Sequence, residues 1–546
     1  MSRQDEIKAL RAQYNFKHEI GEDNIHPLGL DLHNPVFVWS ALLIIAFVVG
    51  SMIFPDISNA GLSGTKNFFI NNFDWLFLSA GNFFVLFALM IVFSPFGKIR
   101  LGGVDAKPSF SMISWFGMLF AAGMGIGLMF WGVAEPLGYY TDWAGTPLGV
   151  SAGTPEAQTA AMGATMYHWG LHPWAIYGIV ALSLAFFAYN KGMPLSIRSA
   201  FYPLLGDRVW GPIGNIIDTL AVLATIFGLA TSLGFGAQQA SGGLNYLFGI
   251  PPSILTECII IFGVTCVALI SVLRGVDGGV KILSNINMAM AGMLLLFVIV
   301  VGGIAAFASS YATTITGYVQ YMLPLSNPIG REDETFLHGW TIFYWSWWIS
   351  WSPFVGTFIA RVSRGRTVRE FLVAVLIVPT LVTTVWMSAF GGNGLDQAIN
   401  GVGKLASGVG DSSLSLFQML NELPLATITS ALAIILVLVF FITSSDSGSI
   451  VIDAITAGGK TEAPVPQRVF WVFAEGFIAA ALLAVGGENA LNALQSASVS
   501  TGLPFTLVLL VMCFTLFKGL KHEHQLLKLR AGSSPGGGDS GAQDSA

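Results

Sequence analysis

The chain has 546 residues, of which 54% are hydrophobic and only 10% charged, with a net charge of -6. Soluble proteins carry about 25% charged residues, so no soluble architecture would cover this much apolar surface, and a polytopic membrane protein is expected. No basic tract points to a nucleic-acid partner, and Cys258, Cys266 and Cys513 fall in apolar spans, where they read as packing residues rather than a disulfide framework.

Residues 1–34 form a charged extension, expected in the cytoplasm, whose start RQDEIKALRAQ suits a short surface helix. It does not have the pattern of a cleavable signal peptide. About twelve apolar spans of membrane-crossing length follow. The first five lie near Val36–Phe54, Trp75–Phe93, Ser111–Val133, Ala160–Ala188 and Gly214–Gly236. The next three lie near Ser253–Leu273, Ile282–Ala308 and His338–Ala360. The last four lie near Phe371–Phe390, Leu425–Ser444, Val469–Val485 and Leu503–Leu520. Two further stretches, Ser309–Leu323 and Ser412–Asn421, are moderately apolar and are expected to lie along the membrane surface. Residues 522–546 end in a Gly/Ser/Asp-rich run and are expected to be a disordered cytoplasmic tail. With both termini inside, roughly 22 of the 25 Lys and Arg fall on the inner side, leaving Lys66, Arg331 and Lys404 outside. Span count and topology therefore support each other and fit a multi-pass protein of the cytoplasmic (inner) membrane.

Four stretches carry candidate chemistry. In the third span Gly123, Gly125 and Gly127 alternate with Met124 and Ile126, each Gly weakening a helix by roughly 1 kcal/mol relative to Ala. Two arrangements fit: close helix packing through small residues, or a broken helix whose freed N–H groups hold a carboxylate and whose carbonyls hold a cation. Glu135 and Pro136 close this span at its outer end. The fourth span holds His168, Trp169, His172, Pro173, Trp174 and Tyr177. His168 and His172 have zinc-ligand spacing but no neighbouring Cys or carboxylate, so structural hydrogen bonding is the favoured role and proton relay the alternative. The eighth span reads WTIFYWSWWISWSPF, with Trp340, Trp345, Trp347, Trp348 and Trp351 through its middle rather than at its ends. Ring faces grouped at membrane depth suit a quaternary ammonium at roughly 0.5–2 kcal/mol per contact, and filling of gaps between helices is the competing reading. In the tenth span Thr443 and Ser444 follow Phe440, either as an oxygen site for sodium or as hydroxyls bonding back to the preceding turn. Few other acids lie in the spans, so a substrate carrying its own negative charge is expected. Rings for the cation and glycine backbone for the anion together suggest a zwitterion.

The segments AAGMGIGLMFWGVAEP, HWGLHPWAIY, WTIFYWSWWISWSPF and FFITSSDSGS together resemble the betaine–choline–carnitine transporters, and the likeness runs from Val36 to Leu520. The resemblance implies an all-α, leucine-transporter-type fold of twelve transmembrane helices over 35–521. In it two inverted five-helix repeats (about 111–308 and 338–520) follow two extra N-terminal helices, and members are commonly homotrimers. By matching position, Trp347, Trp348 and Trp351 would cage a trimethylammonium group, with Gly123, Met124 and Gly125 beside them. Trp169, Trp174 and Tyr177 would line the outer side, Trp340 and Trp345 would lie nearer the outer entrance, and Phe358 would line the inward exit. A sodium ion would be held by carbonyls of Ala121, Met124 and Phe440 and the hydroxyls of Thr443 and Ser444. Three departures stand out. A second sodium site would need a hydroxyl one turn after Thr225, beside Phe354, but Leu229 stands there. Choline-type members place an Asp where this chain has Gly127, which disfavours a net cation. Sodium-independent carnitine exchangers have a Gln at Phe354 and a Met at Val355. The implied function is sodium symport of glycine betaine, dimethylsulfoniopropionate or carnitine, with sodium as the coupling ion and no organic cofactor. Proton coupling or exchange of the same substrates is the alternative. An enzyme or a channel is more distant: no nucleophile–base pair, metal cluster or charge ring appears at membrane depth.

Overall fold

The computed structural model describes residues 3–123, 125–274, 281–460 and 462–531. Helix α1 (Arg3–Ala12) precedes a small antiparallel pair, β1 (Asn24–Ile25) with β2 (Leu32–His33). The long helices α2 (Asn34–Ile53) and α3 (Pro55–Phe93) follow. The glycine run then breaks the next span: α4 (Met112–Gly123) ends, Gly125 adopts an extended backbone, and α5 (Ile126–Thr141) begins. Next come α6 (Pro155–Trp169), α7 (Leu171–Lys191), the single turn α8 (Tyr202–Leu205) and α9 (Pro212–Phe248). After these, α10 (Ile254–Arg274), α11 (Lys281–Val301) and α12 (Ile304–Ser326) lead through the short α13 (Glu334–Phe336) into α14 (Ile342–Val362), the tryptophan helix. The chain closes with α15 (Val368–Ile399), α16 (Ser415–Asn421), α17 (Ala426–Thr456), α18 (Val465–Gly486) and α19 (Ala490–Ala531). An all-α polytopic protein was the expectation, and that is the architecture found. Among the described residues nine helical stretches are long and apolar enough to cross a membrane. That count runs α6 into α7 and α18 into α19, and omits both the broken pair α4–α5 and α14.

Three sequence expectations change. The fourth span is two helices, because Gly170 leaves helical geometry and the Leu171 N–H donates instead to the Tyr318 hydroxyl of α12 (2.9 Å). Ser309–Leu323 belongs to α12, which buries Thr314, Gly317 and Tyr321 against the bundle and leaves Ile315, Val319 and Leu323 exposed. One side is therefore packed and the other is apolar and open, as at a lipid interface. Residues 522–531 are helical rather than disordered, since α19 continues to Ala531. His522 anchors this extension by packing edge-on to Tyr14 (4.6 Å between centroids), and Glu523 pairs with Lys191 (2.6 Å). Residues 532–546 lie outside the described residues.

The N-terminal extension is strapped to one end of the bundle. Asp31 accepts from Lys460 Nζ (2.6 Å) and from Asn24 Nδ2 (2.7 Å), and its backbone N–H donates to Gln467 Oε1 (2.6 Å). These contacts join the segment to the ends of α17 and α18. A partly exposed ion pair contributes about 0.2–1 kcal/mol, so Lys460→Ala should speed amide exchange of residues 24–33 by about two- to fivefold and leave the α17 amides unchanged. Unchanged exchange in 24–33, read by mass spectrometry, would show that the strap does not depend on this pair.

Candidate functional site

Residues three and four apart share a helix face, so Tyr344, Trp347, Trp348 and Trp351 of α14 point into the same region. Trp347 and Trp348 stack at 4.6 Å between centroids with planes 16° apart. Trp169, at the end of α6, meets Trp348 edge-on at 4.9 Å. From α7, Trp174 and Tyr177 form an edge-on pair at 5.4 Å. The rings of Trp169, Trp174, Tyr177, Trp347, Trp348 and Trp351, with Gly125 and Gly127 from the helix break, Ser232 of α9 and Thr383 of α15, enclose a cavity of about 30 Å³, and Tyr344 packs behind Trp347 and Trp348. At about 10–15 Å³ per water the cavity holds two or three waters, so the rings stand nearly closed. Gly127 is required by this closeness. A methyl built there would stand 2.6 Å from the Trp169 ring and 3.1 Å from the Trp347 ring. Three buried polar atoms of the lining have no protein partner: the Tyr177 hydroxyl, Ser232 Oγ and Trp351 Nε1. All three can donate a hydrogen bond.

Behind the cage lies a carboxylate that the sequence had placed only at a span end. Glu135 of α5 is fully buried. Its Oε2 accepts from Trp169 Nε1 (2.6 Å) and the Tyr344 hydroxyl (2.5 Å), and its Oε1 accepts from the Tyr139 hydroxyl (2.8 Å). His168 Nδ1 lies 3.0 Å from Oε1, and its Nε2 lies 3.0 Å from the Thr341 hydroxyl. The His168 carbonyl in turn accepts from Trp348 Nε1 (2.9 Å). Sequence reading placed Tyr344 beside Trp347 and Trp351 on the helix but found none of Glu135, Thr341 or Ser232 as part of the site.

The structure brings most of the predicted residues together. Trp347, Trp348, Trp351, Trp169, Trp174, Tyr177 and Gly125 share the cavity. Gly123 closes α4 at the break, and Met124 lies outside the described residues. Trp340 packs beyond the cage, edge-on to Trp131 and Tyr139, with its Nε1 donating to the Ala144 carbonyl (3.1 Å). Trp345 is not on a pathway. It projects from a different side of α14, stacks on His172 (5.0 Å, 14°) and is fully buried against Gly81 of α3. The two histidines do not converge as ligands: His172 lies 3.2 Å from Asn82 Oδ1, away from the carboxylate cluster.

A second cavity, of about 120 Å³, gathers Ala121, Phe440, Thr443 and Ser444 with Trp351, Phe354 and Phe358. The predicted ion residues and the predicted exit residue therefore meet, and Trp351 lines both cavities. The Thr443 hydroxyl donates back to the carbonyls of Val439 (3.0 Å) and Phe440 (3.2 Å), the back-bonding that was the alternative reading of this pair, and its oxygen can still accept. At the doubtful second site the Thr225 hydroxyl donates to the Ala221 carbonyl (2.7 Å), and Leu229 is fully buried against Gly448. Phe354 packs edge-on to Trp351 (5.5 Å).

A family model described as the betaine/carnitine/choline family transporter (BCCT) matches residues 35–525. The chain belongs to this family. It is 60% identical over 510 residues to glycine betaine transporter 1 of Vibrio parahaemolyticus, covering 93% of this chain and 97% of that one. It is 59% identical over 508 residues to a glycine betaine/proline/choline/ectoine transporter of the same organism, covering 93% and 90%. It is 45% identical over 489 residues to the glycine betaine transporter OpuD of Bacillus subtilis, covering 88% and 93%. This BCCT chain is accordingly a multi-pass membrane transporter, not an enzyme.

The close approach at Gly127 gives a direct test of the cage in this BCCT protein. Gly127→Ala should displace Trp169 and lower substrate affinity by about tenfold or more, a loss of ~1.4 kcal/mol or above, with the protein still folded. An unaltered dissociation constant for this variant would show that Trp169 and Trp347 need not sit at their present spacing.

Proposed function

We propose that this chain is a secondary active transporter that imports a methylated onium zwitterion by sodium symport across the cytoplasmic membrane. The substrate class comprises glycine betaine, dimethylsulfoniopropionate and carnitine; of these, glycine betaine stands in the names of all three relatives and carnitine in the description of the family. One observation carries the reading: ring faces from Trp169, Trp347, Trp348 and Trp351 line the same cavity as three unpartnered buried donors, Tyr177, Ser232 and Trp351. The rings suit the cation, and the donors suit a carboxylate at the other end of the molecule. The expected glycine-backbone anion site thus gains side-chain donors from α7, α9 and α14.

Sodium fits the second cavity by its oxygen ligands. The hydroxyls of Thr443 and Ser444 belong to α17 and Ala121 to α4, so an ion there would tie the broken helix to α17. Because Trp351 lines both cavities, filling one acts on a wall of the other. The closed cage must open to take up a headgroup, which suits alternating exposure of a central site. The full assembly in this proposal has twelve transmembrane helices, two inverted five-helix repeats, both termini in the cytoplasm and a homotrimeric state. Proton coupling or exchange is the second reading, and the buried Leu229, where a second sodium would need a hydroxyl, is the observation that favours it.

In liposomes, an imposed sodium gradient should drive accumulation of labelled glycine betaine, while a proton gradient alone should not. Accumulation under the proton gradient, or only with substrate preloaded inside, would replace the sodium reading with its alternative. Thr443→Ala combined with Ser444→Ala should remove sodium dependence, lowering sodium-driven uptake by about tenfold or more if a charge-bearing oxygen site of ~1.5–3 kcal/mol is lost. Full sodium-driven uptake by that double variant would move the ion elsewhere.

A further inference from the structure

Resting on the onium reading, we propose that Glu135 makes the cage selective for positive charge: its carboxylate, held behind the Trp169 ring, strengthens the attraction of that ring for a cation and adds its own field.

Several observations converge on this role. The carboxylate is fully buried, and it meets three donor groups, those of Tyr139, Trp169 and Tyr344, and a ring nitrogen of His168. An ionised carboxylate offers about four lone-pair positions and no proton, so this donor set matches the anion. His168 Nδ1 stands 3.0 Å from both Oε1 and the Tyr139 hydroxyl, and its Nε2 stands 3.0 Å from the Thr341 hydroxyl, so a proton on Nδ1 makes His168 a further donor to the carboxylate. His168 is also the sole ion-pair contact of Glu135 among the described residues, with no Lys or Arg beside it. A buried charge without a counter-charge is costly, and a lysine or arginine would have removed that cost. Among the described residues the carboxylate is thus left without a permanent counter-charge. The missing cation belongs on the far side of the rings, where the onium headgroup of the substrate would sit.

The coupling runs through the rings themselves. An indole whose N–H donates to a carboxylate, or a phenol whose O–H does, becomes richer in electron density, and the negative face that attracts a cation is strengthened. Oε2 takes both of its bonds from ring donors of the cage region, Trp169 and Tyr344. At membrane depth the surroundings screen little, so the carboxylate also acts directly across one ring's width. This corrects the expectation that the pocket lacks a carboxylate: one stands immediately behind its rings.

The test separates charge from shape. Glycine betaine and tert-butylacetate share a carboxylate and a branched head, but only in the first does that head carry a positive charge. Binding of each to the purified, folded protein would be measured by tryptophan fluorescence for the wild type, Glu135→Gln and Glu135→Asp. The wild type should prefer glycine betaine by about a hundredfold or more, the sum of several ring–cation contacts. In Glu135→Gln the betaine dissociation constant should rise by about tenfold or more, while that of tert-butylacetate stays within about twofold, as expected when one desolvated charge term is lost. Glu135→Asp keeps the charge, so the ratio of the two constants should stay within about threefold of the wild type even if both weaken. Equal loss of both ligands in Glu135→Gln, no change in either, or collapse of the ratio in Glu135→Asp would reduce Glu135 to a packing role. A wild type that binds neither ligand would overturn the onium reading itself, which is a different result.

Discussion

The bundle around the central site depends on one buried carboxylate. Lipid supplies no hydrogen bonds, so polar groups at membrane depth must be satisfied by the protein. Glu135 answers this for side chains from three segments at once: Tyr139 on its own helix, His168 and Trp169 at the end of α6, and Tyr344 on α14. These bonds orient Trp169 across the mouth of the cage, and the His168 carbonyl holds Trp348. The break after Trp169 follows the same logic. The amide freed at Leu171 is taken by Tyr318, so α6 ends where its last two side chains reach the carboxylate. The wide helical turn at Leu337–Thr341 brings Thr341 against the other nitrogen of His168.

Trp351 extends this arrangement toward the second cavity. Its ring is a wall of the cage, and it also lines the space that holds Thr443 and Ser444. Its own Nε1 is buried without a partner. In the proposed mechanism this side chain is the shortest mechanical link between ion and substrate, since a shift of α17 against α4 must be felt at Trp351 before it reaches the other rings. The cavities differ in size, about 30 Å³ around the rings and about 120 Å³ toward Phe358. The ring side is thus the tighter seal.

Much of the site was legible because its residues are close in sequence. The spacing of Trp347 and Trp351 on one helix predicts a common face with Trp348 about a quarter-turn round, and the structure joins all three at one cavity, with Trp348 rather than Trp351 stacked on Trp347. Trp345 belongs to the same motif, yet a helix turns by about 100° per residue, and two residues short of Trp347 its ring faces α3 instead. The role of Glu135 was not legible because its partners beyond its own helix are 33, 34 and 209 residues away, and no local pattern encodes those distances. The break at Gly170 escaped for the same reason: an isolated glycine in an apolar run is often tolerated inside a helix, and the residue that makes the break favourable, Tyr318, lies 147 positions from Leu171. The helical extension past Lys521 rests on contacts with Tyr14 and Lys191 that its polar composition does not announce.

The central claim is that an onium headgroup sits among the rings of Trp169, Trp347, Trp348 and Trp351. Arsenobetaine carries a trimethylarsonium group in the same zwitterionic frame, and its arsenic can be located by anomalous scattering in crystals of the complex. The account predicts one arsenic peak enclosed by those four rings, with the ligand carboxylate toward Tyr177 and Ser232. A peak outside the rings, or a headgroup pointing away from them, would contradict it.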